Sequence, residues 1–250
     1  MSGVLIINPL AVAAAPDAGG TAPSNLLTAD PNEAWVAASA APVAIDIDMG
    51  GAVTADSFCL AYTNATVDAT WTIYSATGLG AGLVEIVAAR PMRAGDSVGP
   101  RHHCFVRAGQ AVVSRYFRIV VDQGGAVPLF AGALVIGRAF EKHRERGPGR
   151  TLVDLGAREE LMTGGFGMGD GVIKAQFAFS FIDLTDAEVY RLEAIQRDRG
   201  LRRPVLLVED ADLVIGQNEA IHYGVFERFQ ALERTDADVS RWAGSIVEWA

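Results

Sequence analysis

From Val43 to Arg138 the chain alternates apolar and polar positions in short runs broken by turn residues. Ala44-Ile45-Asp46-Ile47-Asp48-Met49 has the period of two of a half-exposed strand, and Gly50-Gly51 is read as its end. Residues 57–62 form a second strand, and residues 70–75, rich in β-branched and aromatic side chains, a third. Gly78, Gly80 and Gly82 punctuate a loop before a strand over residues 83–87. Strands over 116–121 and 134–137 follow, parted by the turn cluster Asp122-Gln123-Gly124-Gly125. The apolar start, Val4-Leu5-Ile6-Ile7, reads as a first strand leading into an alanine-rich loop. Many short strands without helical periodicity predict an antiparallel β-sandwich over residues 1–140.

Residues 141–150 break the pattern with Glu-Lys-His-Arg-Glu-Arg-Gly-Pro-Gly-Arg, a polar linker ending in turn residues. Residues 151–250 then carry one helical signature, near 185–199. Thr185 with Glu188 makes a capping box, Val189, Leu192 and Ile195 recur at helical spacing, and Gly200 stops the run. Strands are predicted on both sides of it, over 174–181, 204–208, 220–226, 228–232 and 245–249. The fold class is therefore mainly β: a sandwich, then a small β-barrel or sandwich with one inserted α-helix.

Charge narrows the functions. Residues 1–140 hold 7 basic and 10 acidic side chains, residues 141–150 hold 4 and 2, and residues 151–250 hold 10 and 18. An acidic second half repels a phosphate backbone, which disfavours nucleic acid as a partner. No apolar run reaches the length of a membrane-spanning helix, so no membrane insertion is expected. The start of the chain lacks the basic segment of a secretory signal. Cys59 and Cys104 sit beside apolar residues and read as buried thiols.

Candidate chemistry is sparse. The glycine-rich run over residues 164–171 leads into a strand rather than a helix N-terminus, so it reads as a loop or hairpin tip and not a phosphate cradle. In an assembly such a loop orders on a neighbouring subunit. His102 and His103 are adjacent on an extended chain, point to opposite faces, and read as surface or edge histidines. Asp46 and Asp48 share one strand face, read as solvated. No serine-nucleophile setting occurs, and no enzyme activity or cofactor is expected. Trp35 follows a polar loop and is either a buried residue closing the sandwich or a platform for a sugar face. Trp242 and Trp249 are core or interface residues.

Two sets of motifs carry a resemblance. Asp30-Pro31 running into Trp35, the Ile45–Phe58 strand pair, and Ser114-Arg115-Tyr116-Phe117-Arg118-Ile119 resemble discoidin-type (galactose-binding-like) jelly-roll domains. Ile136-Gly137-Arg138-Ala139-Phe140, the Phe181–Glu188 helix start, Pro204–Asp210 and Tyr223-Gly224 are similar to tail proteins of long-tailed bacteriophages and prophages. The resemblance implies a distal-tail or tail-tip structural protein of the virion tail, made in the bacterial host cytoplasm. Its C-terminal domain would form a ring with copies of itself, the sandwich facing outward. Tail tube, tape-measure and baseplate hub proteins are the implied partners. Arg144, Arg146, Arg150, Phe166, Met168, Trp242 and Trp249 are the candidate assembly residues, and Trp35 the candidate contact to host surface glycans. The alternative reading is a carbohydrate-binding module.

Overall fold

A computed structural model of the chain describes residues 3–15, 20–93, 102–145, 149–160, 162, 166–210, 218–236 and 238–249. The first strands are β1 (Val4–Ile7), β2 (Trp35–Val36), β3 (Val43–Thr63), β4 (Thr70–Ala76), β5 (Val84–Pro91), β6 (His102–Asp122), β7 (Phe130–Ala131), β8 (Ala133–Gly137) and β9 (Ala139–Lys142). There follow β10 (Arg150–Asp154), β11 (Ala157–Glu160), β12 (Phe166–Gly169), β13 (Ile173–Leu184), α1 (Asp186–Arg199), β14 (Val205–Val208), β15 (Ile221–Phe229), β16 (Glu233–Arg234) and β17 (Ser240–Glu248). The expected class, mainly β with one α-helix, is the one observed among the described residues. The chain divides into two compact units, and the division is not linear. Met1–Glu141 and Leu206–Ile221 make the first, Lys142–Val205 and His222–Ala250 the second.

The first unit is built on the sheet β5-β4-β6-β3-β8, with β2 paired to β7 and β1 lying between β14 and β9. Its core gathers Trp35, Ile45, Ile47, Phe58, Leu60, Trp71, Ile73, Phe117 and Ile119. Alternation along β3 and β6 puts these on one side, because successive strand residues face opposite ways. The two strands predicted at 44–49 and 57–62 are one strand, β3. Gly50-Gly51 does not end it; the β3–β6 register shifts between Asp48 and Val53, with Gly50 at φ 75°, so the pair bends there instead. A strand of 21 residues would span about 70 Å if straight, too long for a domain this size.

Cys59 is in register with Phe105, and Cys104 with Leu60, so the two thiols lie on opposite faces of the β3–β6 pair and cannot be bridged. Both are buried, and burial raises the Cys59 pKa well above the usual thiol value and that of Cys104 to about 12.

The face holding Asp46 and Asp48 is not simply solvated. Asp46 pairs in register with Arg118, whose Nε and Nη2 donate to its two carboxylate oxygens at 2.6 and 2.5 Å, and its side chain is 4% exposed. The loop at Gly80 closes over this pair, since a Cβ there would meet the Arg118 guanidinium at 2.4 Å. Arg115 grips the more open Asp48 with two bonds of 2.8 Å, and the Gly50 N–H adds a third at 2.8 Å. Those bonds, the arginine's first, hold the Asp48 carboxyl down at about 2 instead of 3.8. A depressed pKa gives stability that is complete above the unfolded value and lost as pH falls through the folded one. The urea midpoint should therefore decline between pH 4 and 2, and Arg115→Gln should flatten that decline. An unchanged slope in the variant would remove the pair from the account.

In the second unit β13 pairs with β10 and β17, and β17 with β15 and β16, all antiparallel. Phe177, Phe179 and Phe181 repeat every second residue of β13 and so share one face, where Trp242 and Phe226 meet them. Helix α1 forms as predicted. The Thr185 hydroxyl accepts the Glu188 N–H, the Glu188 carboxylate accepts the Thr185 N–H at 2.8 Å, and Gly200 follows the last turn at φ 57°. Val189, Leu192 and Ile195 are its buried residues, and Lys142 reaches the capping Glu188 at 2.9 Å. Among the described residues no helix is long and apolar enough to cross a membrane.

Candidate functional site

Two places in the structure carry features that folding alone does not require. The first is a polar cluster in the first unit, where β3 ends and β6 begins. Thr63 Oγ1 donates to the His102 carbonyl at 3.1 Å and lies 3.4 Å from Cys104 Sγ. Arg93 Nη1 donates to the Ala65 carbonyl at 3.3 Å. Asn218 Oδ1 accepts the His103 N–H at 2.7 Å, and the Tyr62 N–H donates to His103 Nδ1 at 3.4 Å. Tyr62 packs edge-on against the His103 ring at 4.6 Å and holds φ 53°, a left-handed backbone that a non-glycine residue adopts at a cost. Gln123 is buried; its Nε2 donates to the Asn64 carbonyl at 3.0 Å, while its Oε1 has no hydrogen-bond partner among the described residues. Such an orphan acceptor is expensive to bury.

His102 in this cluster is buried, not the surface or edge residue that its sequence setting suggested; Thr63 bonds its carbonyl, and Arg93 and Glu219 lie close enough to act on its ring. Burial and the nearby Arg93 charge lower its pKa, with Glu219 opposing them. The histidine is thus held neutral at physiological pH.

The second place is an arm of the second unit. β11 and β12 form a two-stranded antiparallel hairpin, with Arg158 opposite Met168 and Glu160 opposite Phe166. Its neck closes at glycines: a Cβ on Gly171 would stand 2.0 Å from the Gly156 nitrogen, and the Leu155 N–H donates to the Val172 carbonyl at 3.1 Å. Of the glycine-rich run read as a loop or hairpin tip, residues 166–171 supply β12 and one side of that neck, and 164–165 lie outside the described residues. Every residue of β11 is exposed. Large apolar side chains line the arm and its base, with Leu152 72% and Met168 74% exposed and Leu155, Met162, Val172 and Ile173 likewise open.

The residues singled out from the sequence fall in different settings. Trp35 is fully buried in the sandwich core, so it offers no face to a sugar; that candidate contact is corrected. Trp242 is buried among phenylalanines and is a core residue, not an interface one. Trp249 is half-buried, its N–H donating to the Tyr223 carbonyl and its own carbonyl accepting from Lys174. Arg144 lays its guanidinium over the Phe177 ring at 5.2 Å, and Arg150, on the same sheet, is exposed in register with Phe177. Met168 stands on the arm. Arg146 and the side chain of Phe166 lie outside the described residues. Sequence reasoning missed Glu159, Glu160, Leu152 and Leu155, whose signal was a strand-length polar stretch, residues 157–160, just after two leucines.

No family model and no curated sequence matches the chain. Among solved structures, it is similar to CBM32-1 from a family 31 glycoside hydrolase of Clostridium perfringens, at 18% identity and TM-score 0.39, over 52% of this chain and 96% of that one. It is also similar to chitosan-binding module 1 of a chitosanase/glucanase from Paenibacillus sp. IK-5, at 16% and 0.37, over 51% and 97%. A third is the CBM32 of AlyQ in complex with 4,5-unsaturated mannuronic acid, at 18% and 0.37, over 52% and 96%. At these values they assign no function to this chain.

Proposed function

We propose that the protein is a structural assembly subunit, joining copies of itself through its second unit and carrying the discoidin-like sandwich as an outward module. The observation that supports this is the β11–β12 arm. An isolated two-stranded hairpin is marginal in water, and soluble monomers rarely leave a contiguous apolar patch uncovered. An arm exposed on all of β11, with apolar side chains at its base, fits a segment that is covered on assembly. The specific setting is the tail tip of a long-tailed phage or prophage, as a distal-tail ring, with tail tube, tape-measure and baseplate hub neighbours. That setting rests on the sequence resemblance, and the reading gives the protein no catalytic role. Replacing residues 157–170 with Asn-Gly, a turn suited to a two-residue hairpin, should leave thermal unfolding unchanged but reduce the mass in light scattering to that of one chain. A multimer that survives the deletion would refute the role of the arm.

A second reading, glycan recognition by the sandwich, is favoured by the polar cluster at its end. The buried Gln123 Oε1 suits a hydroxyl donor, and Arg93, which donates to the Ala65 carbonyl, adds a cation to the same cluster. A sugar-bearing surface offers both hydroxyls and carboxylates. The two readings are compatible in one protein. Binding on a glycan array that Arg93→Ala abolishes would support the second; an array without binding would remove it.

A further inference from the structure

Strand β10 is the outermost strand of its sheet among the described residues: it pairs with β13, and no described strand lies on its other side. The ladder fixes which of its groups turn outward. The Gly149 carbonyl accepts the Ala178 N–H at 3.1 Å, and the Leu155 N–H donates to the Val172 carbonyl at 3.1 Å. Alternate residues of an antiparallel ladder bond to the same neighbour, and the register from Arg150 to Asp154 runs without a shift. Thr151 and Val153 therefore bond to β13, while Arg150, Leu152 and Asp154 turn their amide and carbonyl groups away from it. The side chains of these three share the face of their register partners Phe177, Ala175 and Ile173. On that face Leu152 is 72% and Ile173 59% exposed.

Soluble proteins blunt such edges with bulges and prolines. β5, an edge of the five-stranded sheet, has two register shifts against β4 and ends in Pro91; β10 has neither. It has instead a self-complementary order, Arg-Thr-Leu-Val-Asp. Laid antiparallel against a second copy about a two-fold axis at Leu152, Leu152 faces its own equivalent and each Arg150 faces the other copy's Asp154. Moving the axis to any other residue of the strand sets a charge against leucine or against its like. Asp154 Oδ1 accepts the Gly156 N–H at 2.7 Å, and a carboxylate can accept an arginine as well. We propose that two copies join β10 to β10 in this register, making one sheet across the pair. This pairing rests on the assembly reading and gives it a contact. Five residues a side bury far less than the ~800 Å² per partner of a stable interface. The strand pair thus sets the register, and the arm, running on from Asp154 past Arg150 of the second copy, adds the area; neither holds the pair alone. A two-fold contact joins copies in pairs, so a ring built on it has an even number of copies.

Substitutions in the full-length chain test it, with thermal unfolding checking that each variant is folded. Leu152→Pro removes an outward N–H and no bond to β13, and should weaken self-association at least about tenfold in sedimentation velocity. Arg150→Asp and Asp154→Arg should each do the same, because like charges then face each other. The chain carrying both substitutions restores opposite charges at an unchanged net charge and should associate as the native chain does. As an independent readout, Leu152→Cys should give a disulfide-linked dimer on oxidation, since directly opposed strand residues lie about 5.5 Å apart. Arg150→Cys should not, its two equivalents being ~13 Å apart, and the native thiols are buried. If the native chain self-associates and Leu152→Pro does so equally well, β10 pairing is wrong while assembly stands. A folded double variant that stays dissociated, or a mass equal to an odd number of copies, also overturns the pairing. If the native chain stays monomeric at every concentration, the assembly reading itself falls and the pairing with it.

Discussion

Trp242→Ala should destabilise the second unit by about 3–5 kcal/mol, the range for removing a large aromatic from a core that cannot collapse around the loss. Trp242 is 2% exposed, and its ring meets Phe179 at 5.5 Å, Phe181 at 6.2 Å and Phe226 at 6.3 Å, so it ties β13 to β15 and β17. Its indole N–H is buried without a hydrogen-bond partner among the described residues. That makes a second substitution informative. Trp242→Phe loses ring volume but also removes an unsatisfied donor, so its cost should be well below that of alanine. Urea unfolding followed by circular dichroism measures both. Equal losses for the two variants would mean that the indole nitrogen is satisfied in solution and that the ring is held by more than packing.

The second large effect belongs to the first unit. Arg118→Ala strands the Asp46 carboxylate, which is 4% exposed and loses both of its guanidinium bonds. Removing one partner of a buried pair costs about 3–5 kcal/mol, because the remaining charge has neither water nor a counter-ion. Adding Asp46→Asn to Arg118→Ala should recover part of that loss, and a double-mutant cycle isolates the coupling. If Arg118→Ala cost less than about 1 kcal/mol, the range of an exposed pair, water would be reaching Asp46 and the Gly80 loop would not be closing the site.

These residues also show how far the chain was legible as a sequence. Helix α1 was readable in full, because its capping box, its buried stripe and its stopping glycine are all local signals. The strands around Ile45, Phe58, Trp71 and Phe117 were readable for the same reason. Alternation marks a strand, but not what lies across it. Asp46 was placed on an outward face, and its burial depends on Arg118, 72 residues away on β6. The continuation of β3 through Gly50-Gly51 depends likewise on β6, which bends with it. The strand expected over 204–208 forms as Val205–Val208, but nothing local in the sequence marks its pairing with β1, itself read as a strand at the other end of the chain. The arm was hidden for another reason. Ala-Arg-Glu-Glu has neither alternation nor β-propensity, and it forms a strand only because Phe166–Gly169 pairs with it above a glycine neck. Of the arm, Met168 was visible in advance; Glu159 and Glu160, on the facing strand, were not.

The role proposed for this chain is to join copies of itself. Negative-stain electron microscopy of the purified full-length protein, at concentrations where light scattering gives a stable mass, tests it most directly. Closed rings of uniform diameter, lost when the arm is deleted, are the expected result. Single-chain particles at all concentrations would contradict it.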